Sequence, residues 1–214
     1  IAFLIYSLLS AFCVNIFFPR LENITKMKTL NFPSIPFKLV SMKTTGDGSC
    51  LYHAVLQAFN KSYICGNSIK RKNLVKELRN DLADVLDEKN PITGKDYYSE
   101  LGRGEYEKFS KESQIAEFSR QNLKKKLRHA WGEYSILELL GEQLNIDIYV
   151  LSLREKDVYK NVDSDIYIKG RRSVIILDMF EGHFETVGLL VGNRETKTFF
   201  DRDHDLIKFL KNRY

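Results

Sequence analysis

The period of the hydrophobic pattern changes near residue 145, and this change constrains the fold more than any other feature of the chain. Before that point, apolar residues recur at helical spacing, most clearly in the segments 51–59 and 69–86. After it, residues 146–153 alternate and are rich in β-branched side chains, as expected of a strand. Helices that come first and strands that dominate later are typical of an α+β domain, in which helices pack on a small sheet.

The same reasoning predicts the individual elements. Further helices are predicted near 112–128, at 134–144 and after Asp203, and further strands at 174–179 and 184–191. Two segments that contain residues known to break helices and strands separate these elements. Residues 89–109, with Pro91 and three glycines, predict a long mobile loop, and residues 31–38, with Pro33 and Pro36, predict an extended linker.

Residues 1–18 are almost entirely apolar, and the first charged residue is Arg20. This length is at the short edge of a membrane span, but the segment lacks the charged start and the cleavage site of a signal peptide. Three interpretations stay open: the stub of a membrane anchor, packed structure, or an extension from upstream translation, with Met27 as the natural start. The third is favoured, because every catalytic signal lies beyond Met27. The chain then divides into an apolar segment, 1–26, and a domain, 27–214.

The charge of the chain argues against a nucleic-acid reader. The 214 residues carry a formal net charge of +5, which suits an acidic partner without identifying one. The basic runs 124–128 and 169–172 have little aromatic interleaving and do not form a dense stripe. We interpret both runs as solvated faces, so no nucleic-acid partner is expected.

Cys50 is the cysteine whose surroundings suit a nucleophile. It lies at the first turn of a predicted helix, where the helix dipole and free N–H groups stabilise a thiolate. The preceding Gly46 and Gly48 let backbone N–H groups converge into a nest for an oxyanion, with the Cys50 N–H as first donor and the Asp47–Gly48 loop as second. The alternative is a buried structural cysteine at a helix start.

The other two cysteines lack this context, and we assign Cys13 and Cys65 to packing or to incidental surface positions. Three irregularly spaced cysteines fit neither a disulfide framework nor a Cys-x-x-Cys zinc site, which indicates a reducing compartment.

Of the four histidines, His183 suits a general base best. It opens a predicted strand, and Glu185 lies two residues on, so both side chains share one face. Glu185 could accept the Nδ1 proton of His183 and leave Nε2 free to face a thiol. A structural role for this pair is the alternative. Of the rest, His53 would point sideways from the thiol, and His129 and His204 lie in charged segments.

Three segments together resemble the ovarian tumour (OTU) family of cysteine proteases. Residues 46–54, GDGSCLYHA, are similar to its Asp-Gly-x-Cys-Leu-[Tyr/Phe]-x-Ala signature. Residues 131–133, WGE, resemble its Trp-Gly-acidic segment, and residues 183–187, HFETV, its His-aromatic segment. The likeness covers about residues 38–191. Glu185 is a departure, because many members have Asn or Asp at that position.

The resemblance implies a papain-like OTU fold, with a small central sheet flanked by helices, and a monomeric enzyme without metal or organic cofactor. It implies removal of ubiquitin or a ubiquitin-like modifier from lysine side chains, with Cys50 as nucleophile and His183 as base. Asp47 would shape the oxyanion loop, and Glu185 or another acid would orient His183. The alternative is an inactive OTU-like module that binds ubiquitin.

Composition and layout also suggest a source and a compartment. The many Lys, Asn and Ile residues, with the compact layout, suggest a viral or protist source. We expect the enzyme in the cytoplasm, which would be the host cytoplasm for a viral protein. A membrane location is expected only if residues 1–18 are a genuine anchor.

Overall fold

A mixed β-sheet forms the centre of this computed structural model, which describes residues 27–90, 93–100, 113–130, 136–159, 168–192 and 195–213. Within those ranges the sheet has eight strands: β1 (Met27–Leu30), β2 (Leu39–Met42), β3 (Asp147–Ser152), β4 (Asp157–Val158), β5 (Ser173–Met179), β6 (His183–Val191), β7 (Glu195–Lys197) and β8 (Phe199–Phe200). Six of them follow the order β1-β2-β6-β5-β3-β4, while β7 pairs with β6 and β8 with β5. The β3–β5 pair is parallel and the other pairs are antiparallel.

The described helices are α1 (Cys50–Phe59), α2 (Lys61–Ile64), α3 (Ser68–Val85), α4 (Tyr97–Glu100), α5 (Ser113–His129), α6 (Leu137–Leu144) and α7 (Asp205–Lys211). A 3₁₀ turn, Phe180–Gly182, joins β5 to β6. None of the helices in the described ranges is long and apolar enough to cross a bilayer.

The sheet separates two hydrophobic cores, because strand side chains alternate between its faces. Residues of α1, α3, α5 and α6 pack in the core on one face, and residues of α7 pack in the core on the other. In β6, Phe184 belongs to the first core and Val187 to the second. The α+β architecture predicted from the sequence is confirmed.

Most predicted elements lie within a few residues of the observed ones, including α1, α3 and the three long strands. The linker prediction for residues 31–38 is wrong. This segment connects β1 to β2, and its Phe32 and Ile35 are buried in the second core. Strands of four residues, such as β1 and β2, give too little alternation to identify from sequence.

The predicted loop at 89–109 is also wrong in part. Residues 97–100 form the helical turn α4, Tyr98 is fully buried, and Lys89 pairs with Asp96 in an isolated bridge. The Tyr98 side chain, inserted into the first core, gives residues 97–100 a fixed place. Residues 91–92 and 101–109 of the predicted loop lie outside the described residues.

The interpretation of residues 124–128 as a solvated face needs a similar correction. Lys124 is only 8% exposed, and it forms an ion pair with Asp87. Arg128 forms an ion pair with Asp84, so α5 is connected to the end of α3 at two points. The apolar segment 1–26 and the segment Trp131–Glu133 lie outside the described residues.

Candidate active site

The thiol of Cys50 lies beside the strand that carries His183. Cys50 is the first residue of α1 and is 4% exposed, and its Sγ donates to the backbone oxygen of Gly182 at 3.6 Å. Gly182 has a φ of +73° and immediately precedes His183, the first residue of β6. A left-handed backbone at this point favours glycine, and here it turns the chain from the 3₁₀ turn into the strand.

The loop before Cys50 is shaped by Asp47 and Gly48. One carboxylate oxygen of Asp47, Oδ1, accepts the N–H of Ser49 at 3.1 Å, and Gly48 has a φ of +80°. Ser49 precedes the helix without capping it through its side chain. The first N–H groups of α1 have no acceptor within the helix, so this turn presents donors next to the thiol, as an oxyanion site requires.

The other carboxylate oxygen of Asp47 contacts a histidine. His53 is 1% exposed, with Nε2 3.2 Å from Asp47 Oδ2 and Nδ1 2.6 Å from the hydroxyl of Tyr63. Burial lowers the pKa of His53; the nearby charges of Arg71 and Lys72 lower it further, and Asp47 opposes the shift. Burial also raises the pKa of Tyr63 to about 12. At neutral pH the ring is therefore uncharged and the phenol protonated.

A buried arginine fixes the loop from a third direction. Arg79 of α3 is 4% exposed, and its Nη1 donates to Ser49 Oγ at 2.8 Å. Its remaining donors bind carbonyls at the end of α5, those of Lys126, Leu127 and Ala130. The Lys126 carbonyl also accepts the Ala130 N–H. Carbonyls at a helix end are short of intrahelical donors, so one guanidinium bonds the end of α5 and fixes the residue next to Cys50.

Threonine hydroxyls connect β6 to the cysteine segment. Thr44 Oγ1 donates to the Phe184 oxygen at 2.5 Å, and Thr186 Oγ1 donates to the Ala54 oxygen of α1 at 2.7 Å. Both hydroxyls belong to residues that are buried. The start of α1 and the start of β6 are therefore fixed relative to each other by hydrogen bonds on both sides of Cys50.

His183 and Glu185 lie on one face of β6, as the sequence predicts. His183 is half-buried, and Glu185 is 8% exposed. Neither side chain forms a hydrogen bond or ion pair with another part of the described chain. The structure thus brings Cys50 next to the backbone of Gly182, the residue before His183, while the imidazole forms no hydrogen bond with the thiol or with Glu185. Catalytic hydrogen bonds are often long or poorly aligned in a free enzyme and tighten when substrate binds.

Sequence reasoning missed Arg79, Tyr63 and Thr44, and it gave His53 no part in the site. One signal was available for Arg79, which interrupts the apolar stripe of α3 at the spacing of Val75 and Leu82. A charge on such a stripe indicates a buried, fully bonded group. Thr44 and Tyr63 carry no comparable signal, because their partners lie far away in sequence or in another helix.

Comparisons with known proteins identify the family and the fold. A family model described as OTU-like cysteine protease matches residues 45–187, from the loop before Cys50 to the middle of β6. A solved OTU domain in complex with ubiquitin is similar to this chain, with 16% identity, a TM-score of 0.51 and coverage of 87% of each chain. No curated protein matches the sequence.

Two further solved structures are more distant. An OTU deubiquitinase of Wolbachia pipientis wMel has 14% identity and a TM-score of 0.42, covering 82% of this chain and 96% of the other. A viral OTU domain protease of Farallon virus has 14% identity and a TM-score of 0.45, covering 77% and 90%.

Proposed function

Because this chain belongs to the OTU-like cysteine proteases, we propose that it hydrolyses the isopeptide bond between ubiquitin, or a ubiquitin-like modifier, and a lysine side chain. In this proposal Cys50 is the nucleophile, His183 the general base and Glu185 its orienter. The observation that carries the proposal is the contact of the Cys50 thiol with the carbonyl of Gly182, the residue before His183.

The modifier is proposed by analogy of fold. The described chain shares its fold with an OTU domain that was solved in complex with ubiquitin. Residues 124–128 and 169–172 do not favour a nucleic acid instead, since much of their charge lies in intramolecular ion pairs. These pairs involve Lys124, Arg128, Lys169, Arg171 and Arg172.

The reaction would begin with transfer of the thiol proton of Cys50 to His183. The thiolate then attacks the isopeptide carbonyl carbon, and the resulting oxyanion accepts hydrogen bonds from the backbone N–H groups of Cys50 and the Asp47–Gly48 loop. When the C–N bond breaks, His183 donates its proton to the departing lysine amine. The modifier remains bound to Cys50 as a thioester.

Water completes the cycle. His183 removes a proton from a water molecule, which attacks the thioester carbonyl and forms a second oxyanion at the same backbone donors. The C–S bond then breaks, the modifier leaves with a free carboxylate, and the Cys50 thiolate recovers a proton. Glu185 would fix the imidazole tautomer and stabilise its protonated form, as the acid of a catalytic triad does.

Hydrolysis of a panel of di-ubiquitins and of a fluorogenic ubiquitin substrate tests the proposal. The parent is expected to cleave at least one linkage, and Cys50→Ala is expected to be inactive with an unchanged circular dichroism spectrum. Cys65→Ala is the matched control, because Cys65 is exposed and free, and it should keep parental activity. Near-parental turnover by Cys50→Ala would refute the assignment.

We also propose that residues 27–214 form the complete catalytic unit. The first described strand, β1, begins at Met27, and every candidate catalytic residue follows it. Deletion of residues 1–26 should leave a soluble enzyme with parental kcat/KM. Aggregation or loss of turnover would show that the apolar segment belongs to the fold.

A further inference from the structure

His53, the only histidine of helix α1 (Cys50–Phe59), forms hydrogen bonds through both of its ring nitrogens. His53 is 1% exposed and lies one helical turn after Cys50. Its Nε2 contacts Asp47 and its Nδ1 contacts the hydroxyl of Tyr63, which is itself 3% exposed. None of these groups takes part in the proton transfers described above, so the network needs another explanation.

The chemistry of the partners fixes the direction of each hydrogen bond. A carboxylate can only accept, so the proton on Nε2 must point to Asp47. Nδ1 of the neutral ring is then an acceptor, and the Tyr63 hydroxyl donates to it. The result is a directed chain from the phenol to the imidazole to the carboxylate, which ends at the loop before the nucleophile.

Asp47 needs such a partner because it is the exposed member of the chain. Its side chain is 31% exposed, and its own turn supplies a single bond, from the N–H of Ser49. A solvated carboxylate with one bond could rotate away and release the turn around Gly48. The bond to His53 connects the carboxylate to the interior of α1, which is packed against β6.

We propose that His53 and Tyr63 are positioning residues that fix Asp47, and through it the backbone donors of the oxyanion loop. This inference rests on the proposed function, because an oxyanion forms only during acyl transfer. The two residues stabilise the transition state rather than the thiol. Their loss should therefore slow hydrolysis through kcat and leave KM and the intrinsic reactivity of Cys50 unchanged.

Three variants separate the parts of the network. His53→Leu removes both hydrogen bonds, and we expect kcat to fall by about 30-fold. This is less than the roughly 10²- to 10³-fold loss in kcat caused by deletion of an oxyanion donor, because here the donors are displaced rather than removed. His53→Gln keeps a donor for Asp47 and should stay within about 5-fold of the parent. Tyr63→Phe keeps the packing and should lose about 3-fold.

The rate of Cys50 alkylation by iodoacetamide distinguishes a role in the oxyanion loop from a merely structural role, because a structural defect would change this rate as well. This reaction displaces iodide from carbon without forming an oxyanion, so it reports thiol reactivity alone. The rate at Cys50, followed by peptide mass spectrometry, should be the same in the parent and all three variants. Melting temperatures establish that each variant is folded, and Tyr63→Phe carries the test if His53→Leu does not fold.

Each outcome distinguishes this inference from the proposed function. A fall in kcat with constant alkylation and KM, restored in part by His53→Gln, supports it. Parental kcat in His53→Leu, or in Tyr63→Phe where His53→Leu does not fold, overturns it while leaving the proposed function intact. Alkylation that falls in parallel with hydrolysis overturns it as well, since the residues would then act on the thiol or the fold. A parent that cleaves no ubiquitin substrate refutes both.

Discussion

The loop before Cys50 and the start of the His183 strand are fixed to very different degrees. The loop is bonded on three sides, through Asp47 to His53, through Ser49 to Arg79, and through Thr44 to β6. At the start of β6 the backbone is fixed, yet the side chains of His183 and Glu185 form no bond within the described residues. The proposed nucleophile and oxyanion donors are therefore held by several hydrogen bonds, whereas the side chain of the proposed base is held by none within the described residues.

This difference assigns separate tasks to the two regions. Electrostatic stabilisation of an oxyanion requires donors that are in place before the reaction, because their reorganisation would add to the barrier. A general base bonds in turn to the thiol, the leaving amine and water, so its hydrogen bonds tighten only when substrate is bound. We therefore expect each substitution in the loop to raise the free energy of the transition state by a modest amount. Substitutions at the start of β6 should instead abolish or strongly impair a proton-transfer step.

The largest effect is expected for His183→Ala. Loss of the general acid and base should lower kcat/KM by about 10³-fold or more. The fold should be retained, because the half-buried ring makes no hydrogen bond within the described chain. Steady-state kinetics on a fluorogenic ubiquitin substrate provides the measurement, and His129→Ala, an exposed residue at the end of α5, is the control. A loss below tenfold would assign the base to another group.

Glu185→Gln should have the next largest effect. Gln preserves the shape but removes the charge that stabilises imidazolium, and its amide can favour the wrong tautomer. A serine triad loses about 10⁴-fold without its acid; a thiolate–imidazolium pair forms more readily, so we expect a loss of about 10- to 1000-fold. The exposed Glu195→Gln serves as control. If Glu185→Gln matches the parent at every pH while His183→Ala is inactive, the orienter lies elsewhere.

Arg79→Met addresses the other region. It removes the guanidinium donor that bonds carbonyls at the end of α5 and the Ser49 hydroxyl, which should lower the free energy of unfolding by about 2–4 kcal/mol. At temperatures where the variant remains folded, kcat should fall by about tenfold, since Ser49 is adjacent to the nucleophile. Arg79→Lys keeps the charge but not the planar fork, and should be intermediate. Unchanged stability in urea titrations would contradict this role.

Thr44→Val should have the smallest effect, and it tests the connection between the two regions. The change is nearly isosteric and removes one hydrogen bond to the Phe184 carbonyl, so the free energy of unfolding should fall by about 1 kcal/mol. We expect a roughly threefold loss in kcat if this bond sets the distance between loop and strand. Thr198→Val removes a similar bond to α1 farther from the site and should affect stability alone. Equal kinetics in both variants would show that the loop and strand are aligned by other contacts.

The sequence predicts the elements that carry the candidate catalytic residues better than it predicts the contacts that hold them in place. Helix α1 and strand β6 have strong periodic patterns, and Cys50 and His183 lie at their first residues. These positions follow from local signals alone. The strands β1 and β2 were missed because each has four residues and gains stability mainly from pairing, with β6 in the case of β2.

The same limit explains the missed residues of the loop. Arg79 binds residues that lie 30 to 51 positions away, and Thr44 binds a carbonyl 140 positions away. Such bonds depend on how α3, α5 and β6 pack together, which no local pattern encodes. His53 is closer, six residues from Asp47, but its role needs the turn at Gly48 to bring the two side chains together.

One measurement tests most directly the claim that Cys50 is the prepared nucleophile. The parent, Cys50→Ala, Cys65→Ala and His183→Ala are incubated with ubiquitin that carries a C-terminal electrophile, and the adduct is located by peptide mass spectrometry. We expect one adduct at Cys50 in the parent and in Cys65→Ala, none in Cys50→Ala, and much slower labelling in His183→Ala. Labelling of Cys65 instead, or retained ubiquitin binding without any adduct, would contradict it, and the latter would indicate a non-catalytic ubiquitin-binding module.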